Sequence, residues 1–284
     1  MREQGMSRAG NTVMSSLEEL CARIPDGGRI ALPADYSGCA MTAVRLLMRR
    51  PVRDLHIVSV PQGGFQVDML IGAGCVARVE AAAVTLGEYG LAPRFTAAIK
   101  AGQIEMWDST CPALLAGLQA AEKGVPFMPL RGIIGSDLLR VRPDWMVIDN
   151  PLAELGRRDP IVILPAIRPD VTLFHALKAD AHGNVWVGVQ RELMTMAHAA
   201  RAVLVTVERI EDADFLRDPV LAAGTLPGLY VAAIAEAPNG AWPVGLDNAY
   251  APDAAALGDY AAAAATTAGF ARWAAETPGQ SVPA

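Results

Sequence analysis

A mostly parallel, open α/β sheet flanked by helices is the fold class this sequence predicts, and three observations predict it. Short apolar runs alternate with segments whose apolar residues recur at helical spacing along most of the chain. Hydrophobic residues make up 52% of the 284 residues and charged ones 19%, enough to build a sizeable core. No repeat period shows, and no linker splits the chain, so the alternation belongs to one unit.

Taken in order, residues 1–12 are polar, lack the apolar stretch of a secretory signal, and are expected to form a flexible tail ahead of a single domain over 13–284. Ser16 and Glu19 have capping-box spacing and open a short helix that ends near Ile24. Residues 25–28 read as a turn, 29–32 as a strand and 33–38 as a loop. The helix at 41–50 follows, with Met41, Val44, Leu47 and Met48 on one face. Arg45, Arg49, Arg50 and Arg53 are read as its solvated end, where positive charge suits the helix dipole. Residues 55–60 form a second strand whose His56 reads as a satisfied core residue rather than a catalyst.

The loop at 61–64 then leads to a helix over 65–72, a strand over 76–84, a loop over 86–93 and a helix over 94–101. A strand at 103–107 precedes Asp108 and Ser109, which stand where the N-cap of the helix at 112–123 belongs. Residues 127–137 show little periodicity, and 145–148 and 161–163 read as short strands. The next strand, 170–176, runs into a turn over 177–184. There Gly183 takes a positive φ freely, Asn184 tolerates one, and Asp180 bonds amides two residues on. An apolar run at 185–189 precedes a helix over 192–200 and strands over 202–207 and 229–236. After a loop at 237–244, one long Ala-rich helix spans 253–276, and the tail beyond it is expected to fray.

Net charge is −6 with no dense basic run, which argues against a nucleic-acid surface. Cys21, Cys39, Cys75 and Cys111 are scattered, show no C-x-x-C pair and read as reduced thiols of a cytoplasmic protein. No apolar run reaches the ~18–20 residues that span a bilayer, so no membrane partner is expected. The familiar nucleophile-elbow, zinc, phosphate-loop and dinucleotide signatures are absent. No pair of carboxylates has an evident acid–base arrangement. What remains is a set of Gly-bearing loops at strand ends, suited to presenting N–H groups to an anion or oxyanion.

Seven loose motifs nevertheless recur in a fixed order. They are Asp26-Gly27, Leu70-Ile71-Gly72-Ala73-Gly74, Gly124-Val125-Pro126-Phe127, Ala179-Asp180 with Gly183-Asn184, Val207-Glu208, Pro227-Gly228-Leu229-Tyr230-Val231 and the run from Glu236 to Pro243. Their order and wording resemble the A (α) subunit of family I CoA-transferases, most closely the glutaconate CoA-transferase type. Two departures stand out. Many such subunits carry a Gly-Gly-Phe loop after the first strand, where this chain has Pro33-Ala34-Asp35-Tyr36-Ser37-Gly38, and Pro33 has no N–H to offer. Ring-cleaving hydrolases that resemble the family use a Glu in a Glu-Glu-Tyr-Ser-like context, which here reads Glu105-Met106-Trp107-Asp108.

The resemblance implies a heteromeric enzyme, an αβ heterodimer or its dimer, that moves CoA between an acyl-CoA thioester and a carboxylic acid. Its nucleophilic Glu is expected on the β subunit, since the Ser-Glu-Asn-Gly signature around that Glu is absent here. This chain would supply walls and oxyanion donors, with no metal and no cofactor apart from CoA as substrate. The candidates are Ser37 and Gly38 after the first strand, Gln62, Gly63 and Gly64 after the second, and Glu88 in the Gly87–Gly90 loop. Further candidates are Glu105, Asp108 and Ser109, with Arg131 and Ser136 in the aperiodic segment. Each also has a plain structural reading as a turn, cap or solvated residue. The alternatives are a subunit of a C–C hydrolase acting on a ring-derived acyl-CoA, with Glu105, Asp108 or Glu88 assisting, and a non-catalytic acyl-CoA-binding module.

Overall fold

The structure, a computed structural model, describes residues 12–50, 52–247 and 249–276. The tail expected over 1–12 lies, apart from Thr12, outside these residues, as does the stretch beyond Glu276. The main sheet is parallel along its length. Its strands are β1 (Val13–Met14), β2 (Arg29–Pro33), β3 (Leu55–Val60), β4 (Val76–Ala81) and β5 (Glu105–Asp108), then β9 (Val171–Asp180), β11 (Ala202–Glu211) and β13 (Ala233–Glu236). They lie side by side in the order β1-β13-β11-β9-β2-β3-β4-β5. Two short strands, β10 (Val185–Trp186) and β12 (Thr225–Leu226), add an antiparallel flap beside β9.

Side chains of a strand point alternately to its two faces, so each central strand feeds two cores. Ile30, Leu32, Leu173 and Leu204 pack under α1 (Leu17–Ala22), α2 (Met41–Arg49), α3 (Phe65–Gly72) and α4 (Pro93–Lys100), with α8 (Ala254–Ala264) and α9 (Thr267–Glu276) closing that layer. Ala31, Phe174, Val203 and Val205 face the other way, under α5 (Cys111–Glu122) and α7 (Arg191–Ala199). Among the described residues no helix is long and apolar enough to cross a membrane.

The first helix starts as its sequence dictates. Ser16 Oγ accepts the Glu19 N–H at 3.2 Å while Glu19 Oε2 accepts the Ser16 N–H at 3.0 Å. Several expectations are corrected. The aperiodic stretch holds β6 (Phe127–Leu130) and α6 (Leu138–Val141). With β7 (Met146–Asp149) and β8 (Pro160–Pro165), β6 builds a second, antiparallel sheet in the order β6-β8-β7. It packs its own small core, with Trp145, Val162 and Leu164, against Ala113 and Ala116 of α5. The cap of α5 is Thr110, whose Oγ1 accepts the Ala113 N–H at 3.2 Å, rather than Asp108 or Ser109. The Ala-rich helix is two helices. Thr266 Oγ1 accepts the Gly269 N–H at 3.0 Å and starts α9 afresh, which lets Phe270 and Trp273 close on Tyr260. The stretch at 229–236 becomes a strand only at Ala233.

Two further corrections concern charge and register. Arg45 is not solvated: it is 5% exposed, stacks 5.3 Å over the Trp242 ring and donates to Trp242 O at 2.7 Å. Burial, with Arg49 nearby, lowers its pKa to about 10. β9 continues through Asp180, four residues past the expected end, because β11 pairs with it as far as Glu211↔Asp180. The turn itself is confined to 181–184, with Gly183 at φ +83°. Asp180 is fully buried there: Oδ1 accepts the His182 and Asn184 N–H groups at 2.9 Å, and Oδ2 the Asn184 Nδ2 and Phe215 N–H at 2.8 Å. His182 contributes only its backbone to this knot.

Candidate active site

β2 lies between β9 and β3, and the chain moves away from β2 in opposite directions on its two sides. Loops at the carboxyl ends of such strands diverge and leave a crevice, the usual ligand position in open α/β sheets. The loop leaving β2 crosses this point. Its Gly38 has φ +83°, and a Cβ there would lie 2.2 Å from the His175 carbonyl oxygen, so no other residue fits. His175 N–H donates to Gly38 O at 2.7 Å. Ser37 is buried; its N–H donates to Ala34 O at 2.9 Å and its Oγ–H to Glu192 Oε1 at 2.5 Å. The Ser37 amide is therefore turned inward, into the loop's own turn.

Behind this loop lies a buried network that the sequence reading did not assemble. His175, fully buried on β9, has Nδ1 2.8 Å from Thr206 Oγ1 and Nε2 2.8 Å from Glu208 Oε1. The Glu208 carboxylate also accepts the Tyr250 O–H at 2.7 Å and the backbone N–H groups of Asn239 at 2.6 Å and Gly240 at 3.2 Å. Burial raises the Glu208 pKa, but the bonds from His175, Tyr250 and Asn239 outweigh it and leave the carboxyl below its ordinary value. Burial and the bond to Glu208 push the Tyr250 phenol up. These groups join β9, β11 and the 237–250 loop and hold the wall on which Gly38 rests. The signals were present: Val207-Glu208 and Pro238-Asn239-Gly240 belong to two of the seven motifs. Their contact across the fold was not visible in the chain.

The β2 loop separates two cavities. A small one of about 100 Å³ lies toward β9 and is lined by Tyr36, Ser37, Gly38, Trp186, Gln190 and Leu193, among others. The larger, about 420 Å³, opens over the ends of β2, β3 and β4. Gln62, Gly63, Gly64 and Glu88 line it together with Asp35, Phe65 and Tyr89. The Gly63 amide is already spent on Ala83 O at 2.9 Å. Asp35 was not among the sequence candidates. It is half-buried; its Oδ2 accepts the Phe65 N–H, the first amide of α3, at 3.1 Å, and Cys39 Sγ lies 3.7 Å from Oδ1. Burial pushes the Asp35 pKa up to about 6 against the pull of these two bonds.

The remaining candidates fall elsewhere. Glu105 opens β5, the edge strand of the sheet, and is exposed, with Trp107 Nε1 at 2.6 Å and Arg78 Nη2 at 2.6 Å. Those bonds, the Trp107 one first, hold its carboxyl below the usual range. Asp108 ends the same strand and Ser109 follows it. Ser109 lines a third cavity of about 220 Å³ between the two sheets, beside Arg29, Glu80 and Arg142. Arg131 grips Asp159 through two bonds, at 3.1 and 2.5 Å, on the small sheet, and Ser136 Oγ donates to Ile133 O at 2.8 Å within a turn. The structure thus gathers Gln62, Gly63, Gly64 and Glu88 in one cavity, sets Ser37 and Gly38 beside it, and leaves the other candidates apart.

Comparison with known proteins gives this geometry a context. The model of the Coenzyme A transferase family matches residues 14–237. The chain is 32% identical to the A subunit of the 3-oxoadipate CoA-transferase of Pseudomonas knackmussii over 78% of its own length and 77% of the relative's. It is 31% identical to the cholesterol ring-cleaving hydrolase IpdA subunit of Rhodococcus jostii, over 71% and 69%. Among solved structures, glutaconate coenzyme A-transferase of Acidaminococcus fermentans superposes with a TM-score of 0.85 at 27% identity, covering 93% of this chain and 87% of that one. A cysteine-to-serine variant of the decarboxylase AibA/AibB superposes at 0.81 and 30% identity, covering 93% and 97%.

Proposed function

The chain belongs to the Coenzyme A transferase family, and from that premise we propose that it is the α subunit of a heteromeric enzyme moving CoA between an acyl-CoA and a carboxylic acid. The observation that carries this reading is the cavity of about 420 Å³ at the carboxyl ends of β2–β4, walled by loop backbone and apolar side chains. It has the size of a small-molecule pocket and the position that ligands take in this class of sheet. Its carboxylates are Asp35, bonded to the Phe65 amide, and Glu88. The attacking group is assigned to a partner β subunit.

In this scheme a partner Glu carboxylate attacks the thioester carbonyl and expels the CoA thiolate, leaving a mixed anhydride. The thiolate then attacks the Glu carbonyl, releasing the first acid and forming a glutamyl-CoA thioester. The acceptor acid repeats the two steps in reverse, and the Glu is regenerated. The part of this chain is to hold the acyl group, keep water away from the anhydride and thioester, and fix the β2 loop through Gly38 and His175. CoA serves as substrate, and the cytoplasm is the compartment that suits it.

A second reading, a hydrolase cleaving a C–C bond of an acyl-CoA, draws support from the ring-cleaving relative. It draws none from Glu105, which Arg78 and Trp107 engage on the far edge of the sheet. The deciding experiment purifies this chain with its partner and supplies acyl-CoA with and without an acceptor acid. Transfer is expected to follow ping-pong kinetics, to need both chains, and to leave a borohydride-sensitive CoA adduct on a partner Glu. Formation of free acid, CO2 or a ring-opened acyl-CoA with no acceptor present would overturn the transferase reading, and transfer by this chain alone would overturn the split site.

A further inference from the structure

The charge lining the larger cavity is one-sided. Asp35 and Glu88 are its carboxylates, and among the described residues that line it there is no Lys, Arg or His. Asp35 cannot easily turn away, since Oδ2 accepts the Phe65 N–H at 3.1 Å and the carboxylate lies over Gly64, where a Cβ would come within 1.8 Å of it. The nearby Gln66 does not offset it: its Nε2 is spent on Pro33 O and on Cys39 Sγ at 2.9 Å. The N-terminus of α3, a built-in positive pole beside this cavity, is thereby occupied by a carboxylate of the protein itself.

We infer that this cavity accepts an acyl chain whose far end is uncharged, apolar or hydroxyl-bearing, and that Asp35, seconded by Glu88, is the specificity-determining group that turns away dicarboxylic acids. The inference rests on the transferase reading above and names its substrate class. A second carboxylate carried into the cavity would lose its hydration and meet two like charges with no cation in the lining. An aliphatic end buries its surface against Phe65, Leu86, Val244 and Leu257, and a hydroxyl donates to Asp35 Oδ1. The 3-oxoadipate and glutaconate CoA-transferases described above are named for dicarboxylates, so the inference separates this chain from them by chemistry rather than by fold.

Two measurements on the two-subunit complex at pH 8 test it. In the first, butyryl-CoA and glutaryl-CoA, which differ in length by one carboxylated carbon, are titrated into the complex by calorimetry. In the second, butyrate, 3-hydroxybutyrate, glutarate and glutaconate compete as acceptors of CoA from acetyl-CoA. Butyryl-CoA is expected to bind at least tenfold more tightly and the monocarboxylates to react at least tenfold faster in kcat/KM. Asp35→Asn, an isosteric neutral variant, should shrink that preference about tenfold, and Glu88→Gln should shrink it less. Melting curves establish that each variant is folded; should Asp35→Asn fail to fold, Glu88→Gln carries the comparison. Equal or tighter binding of glutaryl-CoA, no binding of either thioester, or a preference untouched by the folded variants overturns the inference. A calorimetric preference for butyryl-CoA without CoA transfer to any acid supports it while overturning the transferase reading.

Discussion

Glu80→Gln tests the charge cluster that joins the two sheets. Glu80 is fully buried on β4, with Arg29 Nη2 at 2.5 Å, Arg142 Nη2 at 2.8 Å and His56 Nε2 at 3.5 Å. Burial, helped by the charges of Arg29 and Arg78, lowers the His56 pKa despite Glu80 beside it, and the guanidiniums of Arg29 and Arg142 supply the charge that faces Glu80. For Glu80, burial raises the pKa, but His56 beside it and the fields of Arg29 and Arg142 outweigh it and bring the value to about 2 from 4.5. A folded-state pKa below the unfolded one means stability that is full above about pH 4.5 and is lost as pH falls through about 2. At 1.36 kcal/mol per unit, roughly two and a half units correspond to about 3 kcal/mol at neutral pH, within the range for breaking a buried pair. An unfolding entropy of about 2.1 cal/mol/K per residue gives roughly 0.6 kcal/mol/K for a chain of this length, so the melting temperature should fall by about 5 °C. Calorimetric or fluorescence-detected melting of wild type and variant at pH 7, then stepwise toward pH 3, reads both the size and the pH course of the gap. A fall under about 1 °C at pH 7, or a gap that does not narrow on acidification, would refute the reasoning.

Other residues give equally direct tests. Glu208→Gln places an amide NH2 where the carboxylate accepts the Asn239 N–H at 2.6 Å and the Tyr250 O–H at 2.7 Å; a loss of about 2–3 kcal/mol is expected, read as a lower melting temperature together with reduced kcat of the two-subunit enzyme. Gly38→Ala meets both a positive φ and a backbone oxygen 2.2 Å from the new Cβ; a loss of at least ~2 kcal/mol is expected by urea unfolding, and unchanged stability would mean that the loop sits differently. Asp180→Ala strips four hydrogen bonds from a buried turn and should destabilise by about 4 kcal/mol or leave the chain insoluble, checked by soluble yield and melting. Cys111 is exposed while Cys21, Cys39 and Cys75 are buried; a thiol reagent should titrate one equivalent in the isolated native chain and four after denaturation, with peptide mapping placing the first at Cys111.

Much of the architecture follows from the chain read alone. Ser16 and Glu19 specify a helix start because capping is a matter of residues three apart, and a short, mostly apolar run such as Leu55–Val60 reads as an interior strand of a wrapped sheet, which it is. The motif order also identified the family. Where the reading stopped, distance along the chain was the cause. Phe127–Leu130 carries no period of its own; it becomes a strand because β8, some thirty residues later, pairs with it. The Thr266 break in the Ala-rich helix is decided by Phe270 and Trp273 reaching Tyr260. Arg45 shares a helix end with Arg49 and Arg50 and reads as solvated from the chain alone; Trp242, from the far end of the chain, covers it.

The site divides along the same line. Gln62, Gly63, Gly64 and Glu88 were legible as loop residues after strands, since where a loop falls relative to its strand is local information. In the chain Asp35 is one acid of the loop after the first strand, and the weight it carries comes from Phe65, Gly64 and Cys39 closing around it. The sequence by itself determined most strands of the main sheet and the helices beside them, the family, and the loops that line the larger cavity. Only the tertiary structure decided which charges are buried, which amides are already spent, and that the larger cavity is lined by acids without a base among the described residues. The reason is physical: secondary structure follows from periodicity and caps between near neighbours, whereas desolvation and pairing depend on which distant residue arrives to exclude the water.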